Sequence, residues 1–185
     1  LLAAEAPEKG DMEFAKQQYY KGTNMTDVLA VLAAFIHSTS PIRQELLADF
    51  YKKWKEEQLV MDKWLILQAS SSLFTTLQSV KQLMEHPAFS ISNPNKIRSL
   101  IGTYGANHFC FHLADGAGYQ FLADQIIALD STNPQIASRL TAPFAAWRRY
   151  DNSRQLLMQK QLQRIATKEG LSGDVYEMVK RSLGN

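Results

Sequence analysis

The octapeptide Asn133-Pro134-Gln135-Ile136-Ala137-Ser138-Arg139-Leu140 reads as the start of a helix, and it sets the class of the whole chain. The Asn133 side chain can accept a hydrogen bond from an unpaired N–H of a first turn. Proline at the next position gives up no bond there, and its φ is already helical. The same device recurs at Ser40-Pro41 and Asn93-Pro94. Thr26-Asp27 offers a fourth start, a capping hydroxyl followed by an acid that the helix dipole favours, and Ser172-Gly173-Asp174 offers a fifth.

Between these starts the apolar spacing is helical. Leu29, Leu32, Ala33 and Ile36 share a face, and so do Leu46, Leu47, Phe50 and Trp54. Further stripes run through Leu73, Leu77, Val80 and Met84, through Tyr119, Leu122, Ile126 and Leu129, and through Leu156, Met158, Leu162 and Ile165. No segment sustains two-residue alternation. Phe109-Cys110-Phe111-His112 comes nearest, and it is short enough to read as an ordered loop. The expectation is an all-α chain of about 8–10 helices. The Asn-Pro starts at 93 and 133 lie forty residues apart, close to the helix-pair period of HEAT-like solenoids. The two units share little sequence, so an irregular superhelix of antiparallel helix pairs with a concave face is expected over residues 1–185 as one domain. Roughly the first twenty residues read as the tail of a preceding helix pair.

Composition narrows the function. An apolar fraction of 45% and a charged fraction of 21% suit a folded globular chain. Net charge is +2, from 20 basic and 18 acidic residues without a block of one sign, which disfavours nucleic acid as a partner. The Trp147-Arg148-Arg149-Tyr150 run does not change that. Cys110 is the single cysteine, so an internal disulfide is impossible and a reducing compartment, the cytoplasm, is expected. The longest apolar run, Val28 to Ile36, is half a membrane span, so no membrane partner is expected. Leu1-Leu2-Ala3-Ala4-Glu5 lacks a basic start and an initiator Met, which suggests a chain beginning mid-protein rather than a signal peptide.

The chemistry-bearing residues are sparse. His37, His86, His108 and His112 form no His-Glu-x-x-His, and one cysteine permits no Cys-x-x-Cys. His108, Cys110, His112 and Asp115 allow a tetrahedral metal site on paper, but the spacing lacks the paired pattern of structural zinc, and loop histidines are the plainer reading. Ser70-Ser71-Ser72 lacks a nucleophile elbow and reads as a helix boundary, one serine being a cap. Gly116-Ala117-Gly118 is too short for a dinucleotide fingerprint and reads as a helix N-terminus. Asn24-Met25-Thr26 matches a glycosylation sequon but reads as a helix start. No catalytic residue and no metal ligand is assigned. Gln135 and Arg139, four apart, project from one helix face, and Arg98 lies one turn inside the Asn93-Pro94 helix. From spacing alone each is either a surface salt-bridge residue or part of a site for a carboxylate or carbonyl.

Several strings resemble the C-terminal helical domain of the bacterial aminopeptidase N family, of the gammaproteobacterial type. They are Asn24-Met25-Thr26-Asp27, Leu59-Val60-Met61-Asp62-Lys63-Trp64, Asn93 through Gly102, Phe111-His112, Asp115 through Tyr119, Asn133 through Leu140 and Leu171 through Glu177, in order over nearly the whole chain. The resemblance implies a zinc exopeptidase of the thermolysin-like kind that removes N-terminal residues from peptides, with alanine among its preferences. It places zinc and all catalytic residues in an upstream domain, so this chain would hold no cofactor and be inactive alone. The partners implied are the upstream domains of the same chain and peptide substrates, the helical domain enclosing the active site and admitting only small peptides. Gln135, Arg139 and Arg98 match positions on the inner side of that cavity. Gly105-Ala106-Asn107-His108 departs from the family by a small deletion, so no role transfers to His108. Met61, Trp64 and Tyr119 match as well, and core packing is the expectation for them. The competing reading is a free-standing helical-repeat adaptor that binds peptides or proteins in its groove. An in-frame His-Glu-x-x-His upstream of Leu1 would separate the two.

Overall fold

The computed structural model describes residues 9–184, all of its regular structure being helical; residues 1–8, part of the stretch read as a preceding tail, lie outside the described residues. Helix α1 (Lys9–Lys21) packs against α2 (Met25–Phe35) and α3 (Pro41–Trp54). The Tyr19 hydroxyl donates to Asp49 of α3 at 2.8 Å, and Lys16 pairs with Glu45 at 2.8 Å, so α1 belongs to the same body. The cap of helix α2 is Asn24, two residues before the expected Thr26. Asn24 is extended, accepts from the Asp27 N–H at 2.9 Å, and donates its amide to the Asp27 carboxylate at 2.7 Å. That reciprocal pair satisfies two groups where a threonine would satisfy one.

Ser40 caps α3 as expected, with Leu46, Leu47 and Phe50 buried. Trp54, the last residue of α3, is 36% exposed because the stripe runs off the packed end of its helix. Helices α4 (Gln58–Ala69) and α5 (Thr76–Met84) follow, α4 packing against both α3 and α5. The serine run marks the end of α4: the Ser70 hydroxyl donates to Leu67 O, and fully buried Ser71 donates to Ile36 O at 2.8 Å.

The next rod is continuous from Pro94 to Ala106 but not uniform: α6 (Pro94–Ile97), a π turn over Arg98–Gly102, then α7 (Thr103–Ala106). Residues 109–111, expected as loop, belong to a one-turn helix α8 (His108–Phe111). Asn107 explains the difference. Its carbonyl oxygen caps α8 through the Cys110 N–H, while its amide donates to Ala69 O and Ser71 O, anchoring the turn to the end of α4.

Helices α9 (Ala117–Asp130), α10 (Pro134–Leu140), α11 (Asn152–Ala166) and α12 (Gly173–Leu183) complete the stack, with a 3-10 stretch over Ala142–Arg149. Asn133 and Ser172 cap α10 and α12 as expected. Taking Pro94–Ala106 as one rod and setting aside the single turn α8, ten helices remain among the described residues, at the top of the expected range. The stripe on α9 is wholly buried, as are Met158, Leu162 and Ile165 on α11. Leu156, drawn into that last stripe, is 68% exposed. It stands two residues from Met158, which a helix of 3.6 residues per turn places on the opposite side.

The Arg148 side of the basic pair is structural. Its guanidinium donates to Ser182 O at 2.9 Å and Leu183 O at 2.7 Å, closing the carbonyl end of α12 beside Trp147, whose indole N–H also donates to Ser182 O.

Gly116 and Gly118 mark the tightest crossing. Gly116 has φ +69 and precedes the first turn of α9. At Gly118 an added Cβ would lie 2.7 Å from Phe111 O and 3.1 Å from Phe111 Cα, so backbone itself blocks any side chain. Gly118→Ala is therefore expected to cost about 1–3 kcal/mol in urea unfolding. Gly173→Ala, with nothing within 4 Å of the new methyl, is the matched control and should change stability little. Equal effects at both positions would refute the crossing as the cause.

Candidate functional site

Helix α10 buries Ile136, Ala137 and Leu140, the i, i+1, i+4 face that meets α9 and α12. Gln135 and Arg139 occupy the other face, and both are exposed. Among the described residues Arg139 has neither an ion-pair nor a side-chain hydrogen-bond partner, so the salt-bridge alternative is not realised there.

Arg98 opens the π turn, with buried Ile97 and Ser99 on either side, and is itself exposed. Its guanidinium donates to Asn95 Oδ1 rather than to an acid. The Thr103 N–H reaches back five residues to Arg98 O, and that long bond is what widens the turn. A groove of about 520 Å³ lies between α4 and this rod, walled by Leu59, Asp62, Lys63 and Ile66 on one side and Asn95, Arg98 and Ser99 on the other. Leu59 and Ile66 are 73% and 41% exposed, so the wall facing Arg98 mixes apolar side chains with Asp62 and Lys63.

The two arginine-bearing elements are neighbours. A Cβ built on Gly102 would stand 3.9 Å from Leu140 Cδ2 and 4.0 Å from Arg98 Cβ, so the end of α10 abuts the π turn. The structure brings Gln135 and Arg139 onto one face beside the Arg98 rod. No hydrogen bond joins the three side chains, and the Arg98 groove includes neither of the other two.

Beneath that groove sits a pair the sequence reading passed over. Lys96, 2% exposed, donates to Gln58 O at 2.9 Å and lies 2.8 Å from Asp62 Oδ1. The second contact is an ion pair held almost wholly away from solvent on the lysine side. Lys96 stands four before buried Leu100, and that phase was the available signal.

The His108–His112 region holds no metal constellation; among the described residues no three His, Cys, Asp or Glu side chains converge. The Cys110 thiol points at Ser71 O and Leu73 O, and burial pushes it above its ordinary range, away from thiolate reactivity. His112 Nδ1 is 2.9 Å from the Tyr119 hydroxyl, its ring stacked on Tyr150 at 3.9 Å. Burial, then the neighbouring His108 and Arg154, hold His112 down to about 4, so it is neutral near pH 7. Among the described residues no donor set fits a zinc ion.

A family model described as a domain of unknown function, DUF3458_C, with ARM repeats, matches residues 1–184. The chain belongs to that family. This DUF3458_C chain is also 45% identical over 168 residues to aminopeptidase N of Escherichia coli strain K12, covering 90% of this chain and 19% of that protein. It is 42% identical over 170 residues to aminopeptidase N of Haemophilus influenzae, covering 91% of this chain and 19% of the relative. A crystal structure of Legionella pneumophila aminopeptidase A in complex with aspartic acid superposes with a TM-score of 0.89 at 34% identity, covering 95% of this chain and 21% of that one. The DUF3458_C chain therefore corresponds to the C-terminal region of aminopeptidase N and spans about a fifth of the relatives' length. Its all-α, ARM-like stacking is the expected class.

Proposed function

We propose that this chain is the cavity-forming C-terminal module of a zinc-dependent aminopeptidase, enclosing the active site and limiting access to small peptides. The observation that carries the reading is the 45% identity to a segment of aminopeptidase N over 90% of the chain. Residues 1–185 act as one helical module against the catalytic and other upstream domains, in the reducing cytoplasm that suits a lone buried thiol. When bound in the parent, zinc supplies the polarisation of the scissile carbonyl. The residues of this chain bind and orient.

Gln135 and Arg139 face the peptide beyond the scissile bond, and Arg98 draws its C-terminal carboxylate. Support comes from their exposure, from the unpaired state of Arg139, and from the contact of the two elements at Gly102. An arginine fork matches a carboxylate in two parallel bonds, and an arginine without an internal partner loses none on binding.

The test uses the intact parent. Arg139→Ala should lower kcat/KM on a tetrapeptide by roughly tenfold or more, the worth of a charged hydrogen bond, while an aminoacyl amide lacking the distal portion is nearly unaffected. Equal loss on both substrates would assign Arg139 a structural role instead. The isolated chain should bind no zinc and hydrolyse no aminoacyl amide. Turnover by it that survives exhaustive chelation would overturn the module reading.

A further inference from the structure

A second groove, of about 440 Å³, opens between α3, α4 and α5, away from the elements that carry Arg98 and Arg139. Its wall includes Arg43, Tyr51, Trp64, Gln68, Gln82 and His86 and, among the described residues, no Asp or Glu. Arg43 is the unusual member. Its Nε is buried without a hydrogen-bond partner, and among the described residues its guanidinium has no ion pair. The acids nearest in sequence on α3 are engaged elsewhere: Glu45 with Lys16 and Tyr20, Asp49 with Lys53 and Tyr19. Burial draws the Arg43 guanidinium below its ordinary range, which is what an unpaired, partly desolvated cation undergoes. Buried donors in native proteins are almost always satisfied, so a buried Nε without a partner on a half-buried arginine lining a groove points to an acceptor from outside.

The remaining wall defines the rest of that ligand. Tyr51, Trp64 and His86 form a cluster with ring centroids 4.7–5.3 Å apart. Trp64 is fixed by its indole N–H donating to Leu47 O at 3.0 Å, and burial lowers the His86 imidazole below its ordinary range, so the cluster is apolar in character. Gln68 uses its amide nitrogen on Trp64 O and keeps its carbonyl oxygen free to accept. With no acid in the wall, a free ammonium finds no counter-charge. An amide N–H beside a carboxylate does find acceptors.

We propose that this groove binds the C-terminal end of a peptide, with the terminal carboxylate on Arg43, its amide among Gln68 and Gln82, and an apolar last side chain against Tyr51, Trp64 and His86. The site is separate from the Arg98–Arg139 face and stands independently of the aminopeptidase reading.

The probe is N-acetylphenylalanine, titrated into the 185-residue chain by calorimetry. Saturable binding at millimolar concentration is expected. N-acetylphenylalaninamide, identical but without the charge, should bind at least roughly tenfold more weakly, as a lost charge-assisted hydrogen bond requires. Arg43→Gln should show the same loss, Arg43→Lys should recover part of it, and Arg181→Ala, an exposed arginine of α12 outside the groove, should leave the titration unchanged. Absent saturation, equal affinity for acid and amide, or an unchanged Arg43→Gln titration would each overturn the proposal. Arg43→Lys keeps the charge and most of the stem, so it decides the matter even where Arg43→Gln misfolds. The same probe should bind the intact parent. Binding confined to the isolated chain would mean that another part of the longer protein fills the groove, and would also overturn the ligand reading.

Discussion

Lys96→Met is expected to destabilise the chain by about 3 kcal/mol, the lower end of the cost of stranding one partner of a buried ion pair. The lower end applies because the Asp62 side chain keeps 16% of its exposure while that of Lys96 keeps 3%. Methionine retains most of the aliphatic stem, so the loss isolates the charge. Asp62 would then face the groove with a buried oxygen and nothing opposite it, and Gln58 O would lose its donor. The double variant Asp62→Leu/Lys96→Met should regain most of the loss, since two packed apolar side chains replace two desolvated ions. Urea melts of the two single variants and the double complete the cycle. A Lys96→Met cost below about 1 kcal/mol would show that the pair behaves as a solvated surface bridge. The same pair ties α4 to the rod that carries Arg98, so in the parent Lys96→Met should weaken peptide turnover even where the protein remains folded.

The fold was legible because its signals are local. A capping side chain before proline needs nothing but its own next turn, and Ser40, Asn93 and Asn133 all cap where the sequence places them. The core stripes on α3 and α9 follow from 3.6-residue spacing in the same way. What failed was whatever depends on a partner distant in sequence. Helix α8 exists because Asn107 reaches Ala69 and Ser71, some thirty-six residues back, and nothing in Phe109-Cys110-Phe111-His112 announces that. The π turn at Arg98 likewise has no mark of its own in the sequence. The site divides along the same line. Gln135 and Arg139 share a face by spacing alone, whereas the meeting of their helix with the Arg98 rod comes from the close approach of Leu140 to Gly102. Nothing in the sequence sets Arg43 apart from a surface cation until the neighbouring helices are in place. Burial of a charge is a property of the assembled stack.

Asp130→Ala is expected to cost about 3–5 kcal/mol near neutral pH and, unlike the Lys96 substitution, to change the shape of the acid limb. Asp130 closes α9 at 1% exposure and accepts from the Ser172 N–H, from the Ser172 hydroxyl, and from Lys168 at 3.2 Å. Ser172 also caps α12 through the Val175 N–H, so one carboxylate ties the start of the last helix to the end of α9. Burial alone would raise this carboxyl. The two Ser172 bonds and Lys168 outweigh burial, and the group sits below its ordinary 3.8. A carboxyl lowered in the folded state contributes stability that is fully present above its unfolded value and lost as pH falls through the folded one. That window lies below about pH 4. His112, held down to about 4 from 6.5, acts earlier: its neutral form belongs to the fold, so its contribution fades between those two values. Urea midpoints at pH 7, 5 and 3 separate the two groups. From pH 7 to 5 Asp130→Ala should lose stability in parallel with the unaltered chain, since His112 is intact in both. From pH 5 to 3 the variant should fall less steeply, because the carboxylate whose protonation weakens the native clamp is already absent. Parallel slopes over the lower interval would mean that the anionic charge contributes nothing and that Ser172 and Lys168 are held by shape alone.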